Sequence, residues 1–123
     1  MLKKSALMIK PFEFYFDFIS PYSFLAHKEI RKIEHKEGIK IKYNPILLGG
    51  LHNLHGIKAP AFIPAKAKHM IRDCKLIAEK NGINFKFNSY FPIRSLNLMR
   101  GVLVAEEDNI KSYYIDNIFN TIW

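Results

Sequence analysis

The sequence has 123 residues, 49% of them hydrophobic and 14% aromatic, which fits one packed globular unit and excludes a disordered chain. Nineteen basic against eleven acidic residues give a net charge of +8, so anionic partners come into question; the basic residues are nearly all Lys, spread from Lys3 to Lys111 without a stripe interleaved with aromatics, and nucleic acid is set aside. A single cysteine, Cys74, excludes an internal disulfide, no apolar run reaches membrane-span length, and the start Met1–Lys10 has too short an apolar stretch for a signal peptide, so the chain reads as cytoplasmic.

Phe12-Glu-Phe-Tyr-Phe-Asp-Phe18 is aromatic-rich and predicts a strand, largely apolar as in a strand covered on both faces. Ser20-Pro21 is a helix-start signal, because serine suits the N-cap and proline the first helical position. Ala26, Ile30 and Ile33 then recur at helical spacing, with Lys28, Glu29, Arg31, Lys32 and Glu34 on the outer face and Gly38 as the stop. Ile39-Lys-Ile-Lys-Tyr-Asn44 alternates and predicts a second strand, so residues 11–47 form a βαβ unit with parallel strands.

Residues 48–65, with Gly49, Gly50, Gly56 and Pro60, read as a loop, and a loop of that length is often functional. Residues 66–123 read as helical. Ala67, Met70, Ile71, Cys74, Ile77 and Ala78 make a full stripe ending near Gly82. A further helix is expected from about Ser95 to Glu107, and a last one from about Lys111, carrying Ile115, Ile118, Phe119 and Ile122. The fold class is therefore α/β, a βαβ unit followed by an all-helical segment. A two-stranded sheet is a poor core alone, so Phe14, Phe16, Phe18 and Ile41 are expected to present apolar surface and to favour a homodimer or self-association.

The turn Asp17-Phe-Ile-Ser-Pro-Tyr-Ser23 joins a strand's carboxyl end to a helix N-terminus, where ligands and anions are favoured. Taken alone, Ser20 reads as a plain cap, Lys66 as a solvated helix lysine, Cys74 as a buried structural thiol, and Glu106-Glu-Asp108 as a solvated run. His52 and His55, with His69 and Cys74, make no convincing metal set, since two members sit in a loop and Cys74 lies on an apolar stripe.

The segment Phe14-Tyr-Phe-Asp-Phe-Ile-Ser-Pro-Tyr-Ser-Phe-Leu-Ala26 resembles 2-hydroxychromene-2-carboxylate isomerases and kappa-class glutathione transferases of the DsbA-like thioredoxin superfamily. The resemblance continues through Tyr43–Gly50, Ala59–Lys66, Phe91-Pro92 and Arg100 to Ile118–Trp123, nearly the whole chain. It implies a thioredoxin-like fold in which Ser20 and Ser23 fill the two cysteine slots, so dithiol chemistry there is excluded. It further implies that Ser20 is the active-site serine that hydrogen-bonds the sulfur of bound glutathione, and that Lys66 pairs with a glutathione carboxylate. The implied activity is glutathione-dependent cis–trans isomerisation of a small aromatic carboxylate, or kappa-type transfer of glutathione to an electrophile. Two residues depart from the pattern: Ile57 stands where kappa members have asparagine, and Arg94 replaces an asparagine of Phe-Pro-x-Asn-Thr. Family members also continue well past the position of Trp123, through a cis-proline loop and further glutathione contacts, so the chain is expected to be truncated and to show little activity alone, as an inactive product or one completed by a second polypeptide.

Overall fold

A computed structural model describes residues 12–123; Pro11 and the Met1–Lys10 start lie outside the described residues. In chain order they form β1 (Glu13–Phe16), α1 (Pro21–Glu37), β2 (Lys42–Pro45), α2 (Leu48–Leu54), a 3-10 turn (Pro60–Phe62), α3 (Pro64–Lys80), α4 (Leu96–Glu107) and α5 (Lys111–Ile122). The two strands pair in parallel, with Phe14 opposite Tyr43 and Phe16 opposite Pro45, so the architecture is mixed α/β and mostly helical.

Both strands are shorter than their aromatic and alternating patterns suggest. The ladder ends at Phe16, whose carbonyl takes the Ile46 N–H at 3.0 Å, because Asp17 already belongs to the turn that follows. Only one face of β1 is covered among the described residues: Phe16 is buried and Phe14 half-buried, whereas Glu13 and Tyr15 are exposed. The expectation of cover on both faces is corrected accordingly.

α1 starts and stops where its residues direct. Ser20 is in an extended conformation and its Oγ accepts from Ser23 N, and Gly38 takes the left-handed φ of 66° that closes the helix on the Glu34 carbonyl. Its inward face differs from the Ala26, Ile30, Ile33 stripe. Pro21, Phe24, Leu25 and His27 are the buried residues, while Ile33 is exposed. The reason is a polar network described below, which draws Arg31 and Glu34 inward.

Within 48–65 the chain is not all loop, since Leu48–Leu54 is helical. The stripe on α3 buries Met70, Cys74 and Ala78, as its spacing requires. α4 and α5 pack on each other closely enough that a Cβ on Gly101 would collide with the Tyr114 hydroxyl. The core is an aromatic cluster: Phe16, Phe18, Phe24 and Phe119 are buried, with Phe18 edge-on to Phe119 at 4.8 Å. Trp123 closes it by stacking on Phe85 and donating its indole N–H to the Phe18 carbonyl at 2.9 Å. Phe16 and Phe18 are thus fully buried, and Phe14 and Ile41 half-buried, so the expected apolar surface at these four positions is largely covered by the helices.

Candidate functional site

The site is built on the turn between β1 and α1. Ser20 sits at the carboxyl end of β1 and the N-terminus of α1, half-buried, with Oγ accepting from Ser23 N at 3.1 Å. That bond occupies a lone pair and leaves the hydroxyl proton able to donate to an anionic atom placed before the helix. The peptide dipoles of the seventeen-residue α1 add a partial positive charge at the same point.

The turn itself is held at every step. Asp17 is 1% exposed; its Oδ1 accepts from Ile19 N at 3.0 Å and its carbonyl from Ser20 N at 3.0 Å. Phe18 N–H faces the Met99 sulfur at 3.4 Å, and the Phe18 carbonyl receives the Trp123 indole N–H. Sequence reasoning missed Asp17, although an Asp two residues before a backbone N–H is a recognisable turn signal.

Lys66 lies in the first turn of α3, exposed, and lines a cavity of about 330 Å³ with Tyr22, Pro60, Ala65, His69 and Met70. Tyr22 follows Ser20 by two residues, so the cavity joins the starts of α1 and α3, although Ser20 does not itself line it. The Tyr22 hydroxyl donates to Asp73 Oδ2 at 2.8 Å and ties the two helices together. Lys66 and His69 stand one helical turn apart, which places two basic side chains on one rim; His69 was not singled out for this from sequence. Ile57 is exposed and offers no polar side-chain group.

Cys74 is buried in the core, and burial, with the Asp73 charge beside it, pushes its thiol up to about 11. His52 and His55 lie at the end of α2, and no group of three or more metal-ligating side chains occurs among the described residues. No helix among them is long and apolar enough to cross a membrane.

A second polar cluster lies deeper in α1. His27 is 1% exposed and stacks on Phe119 at 4.8 Å. Its Nε2 is 2.9 Å from Asp116 Oδ1 and its Nδ1 is 2.7 Å from the Tyr43 hydroxyl. Arg31 Nε donates to the same Asp116 oxygen at 2.9 Å and pairs with Glu34, which in turn accepts from Ile41 N at 2.8 Å. Burial and the nearby Arg31 charge hold the His27 ring at about 4, against the opposing pull of Asp116.

A parallel strand pair whose first strand runs through a serine-capped turn into a long helix, with an inserted helical segment on one side, defines a thioredoxin-like protein. The chain belongs to the DSBA-like thioredoxin domain family, whose pattern matches residues 12–123. It is 29% identical over 113 residues to the 2-hydroxychromene-2-carboxylate isomerase of Pseudomonas putida, covering 90% of this chain and 55% of that protein. It is 40% identical over 68 residues to glutathione S-transferase kappa 1 of Caenorhabditis elegans, covering 54% of this chain and 30% of that protein. A solved 2-hydroxychromene-2-carboxylate isomerase superposes with a TM-score of 0.79 at 26% identity, over 90% of this chain and 55% of that structure. The chain therefore spans about half the length of the isomerases it matches.

Proposed function

We propose that the chain carries the serine half-site of a glutathione-dependent isomerase acting on a small conjugated aromatic carboxylate. The observation that carries the reading is Ser20: a hydroxyl capping the first long helix at the end of β1, where the two cysteine slots hold Ser20 and Ser23. Ser20 donates to the glutathione sulfur, and with the helix terminus favours its thiolate form. Lys66, with His69 beside it, pairs with a glutathione carboxylate at the rim of the cavity. Glutathione, when bound, supplies a thiolate that adds reversibly to the substrate, allows bond rotation and leaves again.

These residues fit the cofactor in kind: one hydroxyl donor for sulfur and two basic groups for carboxylate. Ile57 is exposed and brings no polar side-chain group to the cofactor, and the chain spans about half of the isomerases it matches, so weak binding by these residues is expected. A kappa-type transferase is the second reading, favoured by the 40% identity of the first relative over 68 residues. The single, free Cys74 suits a reducing compartment, and the proposed location is the cytoplasm. Titration calorimetry of the 123-residue protein with glutathione and with S-methylglutathione tests the site. Binding that prefers the free thiol supports it; equal or absent binding of both refutes the role of Ser20. Assay of the chromene carboxylate against a panel of electrophiles then separates the two activities.

A further inference from the structure

Asp17 makes one bond that the turn itself does not need. Oδ1 already closes the local turn on Ile19 N, yet Oδ2 reaches across the fold to accept the backbone N–H of Leu48 at 2.9 Å, 31 residues away. Leu48 is the first residue of α2, and the N-cap, Leu47, has no side-chain acceptor to offer. The carboxylate therefore serves as a remote cap for α2. It is buried without a cation partner among the described residues, and its two oxygens take the backbone N–H groups of Ile19 and Leu48. The same residue's carbonyl holds Ser20 N.

We propose that Asp17 is a positioning residue, locking the Ser20 turn to the start of α2 so that the 48–63 segment is held in fixed relation to the reactive hydroxyl. The strand ladder, through Ile46 N and the Phe16 carbonyl, and the Tyr22–Asp73 bond between α1 and α3 hold the neighbouring parts, and the Asp17 bond is the direct tie between the turn and the first residue of α2. With the clamp, the sulfur donor and the carboxylate-binding rim keep one spacing. The inference rests on the functional reading for its consequence, but the clamp itself is a property of the fold.

Two substitutions isolate the bond. Asp17→Asn keeps an oxygen for Ile19 N while turning an amide donor toward Leu48 N. Leu48→Pro removes the donor and leaves the acid; proline is favoured at the first helical position, and Leu47 at φ −104°, ψ 96° has the extended backbone that precedes proline. Amide hydrogen exchange in Asp17→Asn should quicken at Leu48 by about tenfold or more relative to Ile19. Leu48→Pro, which keeps the carboxylate beside the site, should raise the thiol pKa of bound glutathione; Asp17→Asn serves for the exchange readout alone, because loss of a nearby negative charge would itself lower a thiol pKa. Unchanged Leu48 exchange overturns the clamp. Faster exchange in Asp17→Asn with an unaltered thiol pKa in Leu48→Pro overturns the positioning role. If Asp17→Asn does not fold, Leu48→Pro decides both points, with exchange at Leu51 and His55, whose N–H groups bond to the Leu47 and Leu51 carbonyls, as its fold readout, where unchanged protection overturns the clamp. If the unsubstituted protein binds no glutathione, the functional reading fails, and exchange alone decides the clamp.

Discussion

His27 should make the fold acid-sensitive. A neutral imidazole has one N–H, and a carboxylate can only accept, so the proton sits on Nε2 toward Asp116 and the Tyr43 hydroxyl donates to Nδ1. Charging the ring puts a second donor against Tyr43 in a site that is 1% exposed, while Arg31 already engages the same Asp116 oxygen. The ring is therefore held at about 4, against 6.5 in the unfolded chain. Between those values the unfolded chain binds more protons, so stability rises with pH there; it is fully present above 6.5, falls on acidification and levels off below about 4. At about 1.4 kcal/mol per pH unit the whole effect is about 3 kcal/mol, and about 2.5 kcal/mol of it is gone by pH 4.5. A domain of this size is stable by only about 5–15 kcal/mol, so the loss is large. Urea unfolding of the parent and His27→Leu at pH 7.5 and 4.5 measures it. The variant should be the less stable protein at neutral pH, because Tyr43 loses its acceptor, and it should lack this part of the pH dependence. The other histidines cancel in the difference. A His27 ring titrating near 6.5 by NMR, or equal pH slopes in the two proteins, refutes the reasoning.

Three further outcomes are expected. Ser20→Ala should lose about 1 kcal/mol of stability as a helix cap and, in addition, raise the thiol pKa of bound glutathione, read by ultraviolet titration; the second effect without the first would separate ligand contact from capping. Lys66→Gln should weaken glutathione binding in calorimetry by about fivefold, within the range for an exposed ion pair, with the loss reduced at high salt. Gly101→Ala should destabilise by about 1–3 kcal/mol in thermal unfolding, because the Tyr114 hydroxyl occupies the space and overpacking outweighs the better helix propensity of alanine.

The parts of this fold that local chemistry controls were legible in sequence. Ser20, Pro21 and Gly38 mark both ends of α1, and the α3 stripe buries Met70, Cys74 and Ala78 and half-buries Ala67, Ile71 and Ile77. What escaped depends on partners far away in the chain. The α2 stretch reads as loop in the sequence because Gly49 and Gly50, each costing about 1 kcal/mol in a helix, stand close to Gly56 and Pro60; in the fold its first N–H is capped by Asp17. Arg31 reads as an outer-face residue, yet Asp116, 85 residues on, draws it inward and displaces the aliphatic stripe toward Phe24 and His27. Trp123 carries no local signal at all, and its indole reaches back 105 residues to the turn that holds Ser20. The apolar surface expected at Phe16 and Phe18 disappears for the same reason, since α5 covers it through Phe119. Within the candidate site, Ser20 and Lys66 came from resemblance, and only the capping part of Ser20 followed from its own neighbours.

The start of α1 carries hydroxyls and no thiol. A dithiol site needs two thiols at the start of α1, and those slots hold Ser20 and Ser23. The sequence has one cysteine, Cys74, which is buried in the core beside Tyr22. Its thiol is pushed up to about 11, so at neutral pH it carries almost no thiolate and is a poor nucleophile. A helix terminus built to favour an anion, beside a hydroxyl with its proton to donate, is then left without a sulfur of its own. Any thiolate stabilised there has to arrive on a ligand, and a ligand bearing both thiol and carboxylate matches Ser20 on one side and the basic rim of Lys66 and His69 on the other. Converting Ser20 to Cys in this setting should produce a reactive thiol titrating well below the Cys74 value; a Ser20→Cys thiol that alkylates no faster than Cys74 would mean that the turn does not favour an anion.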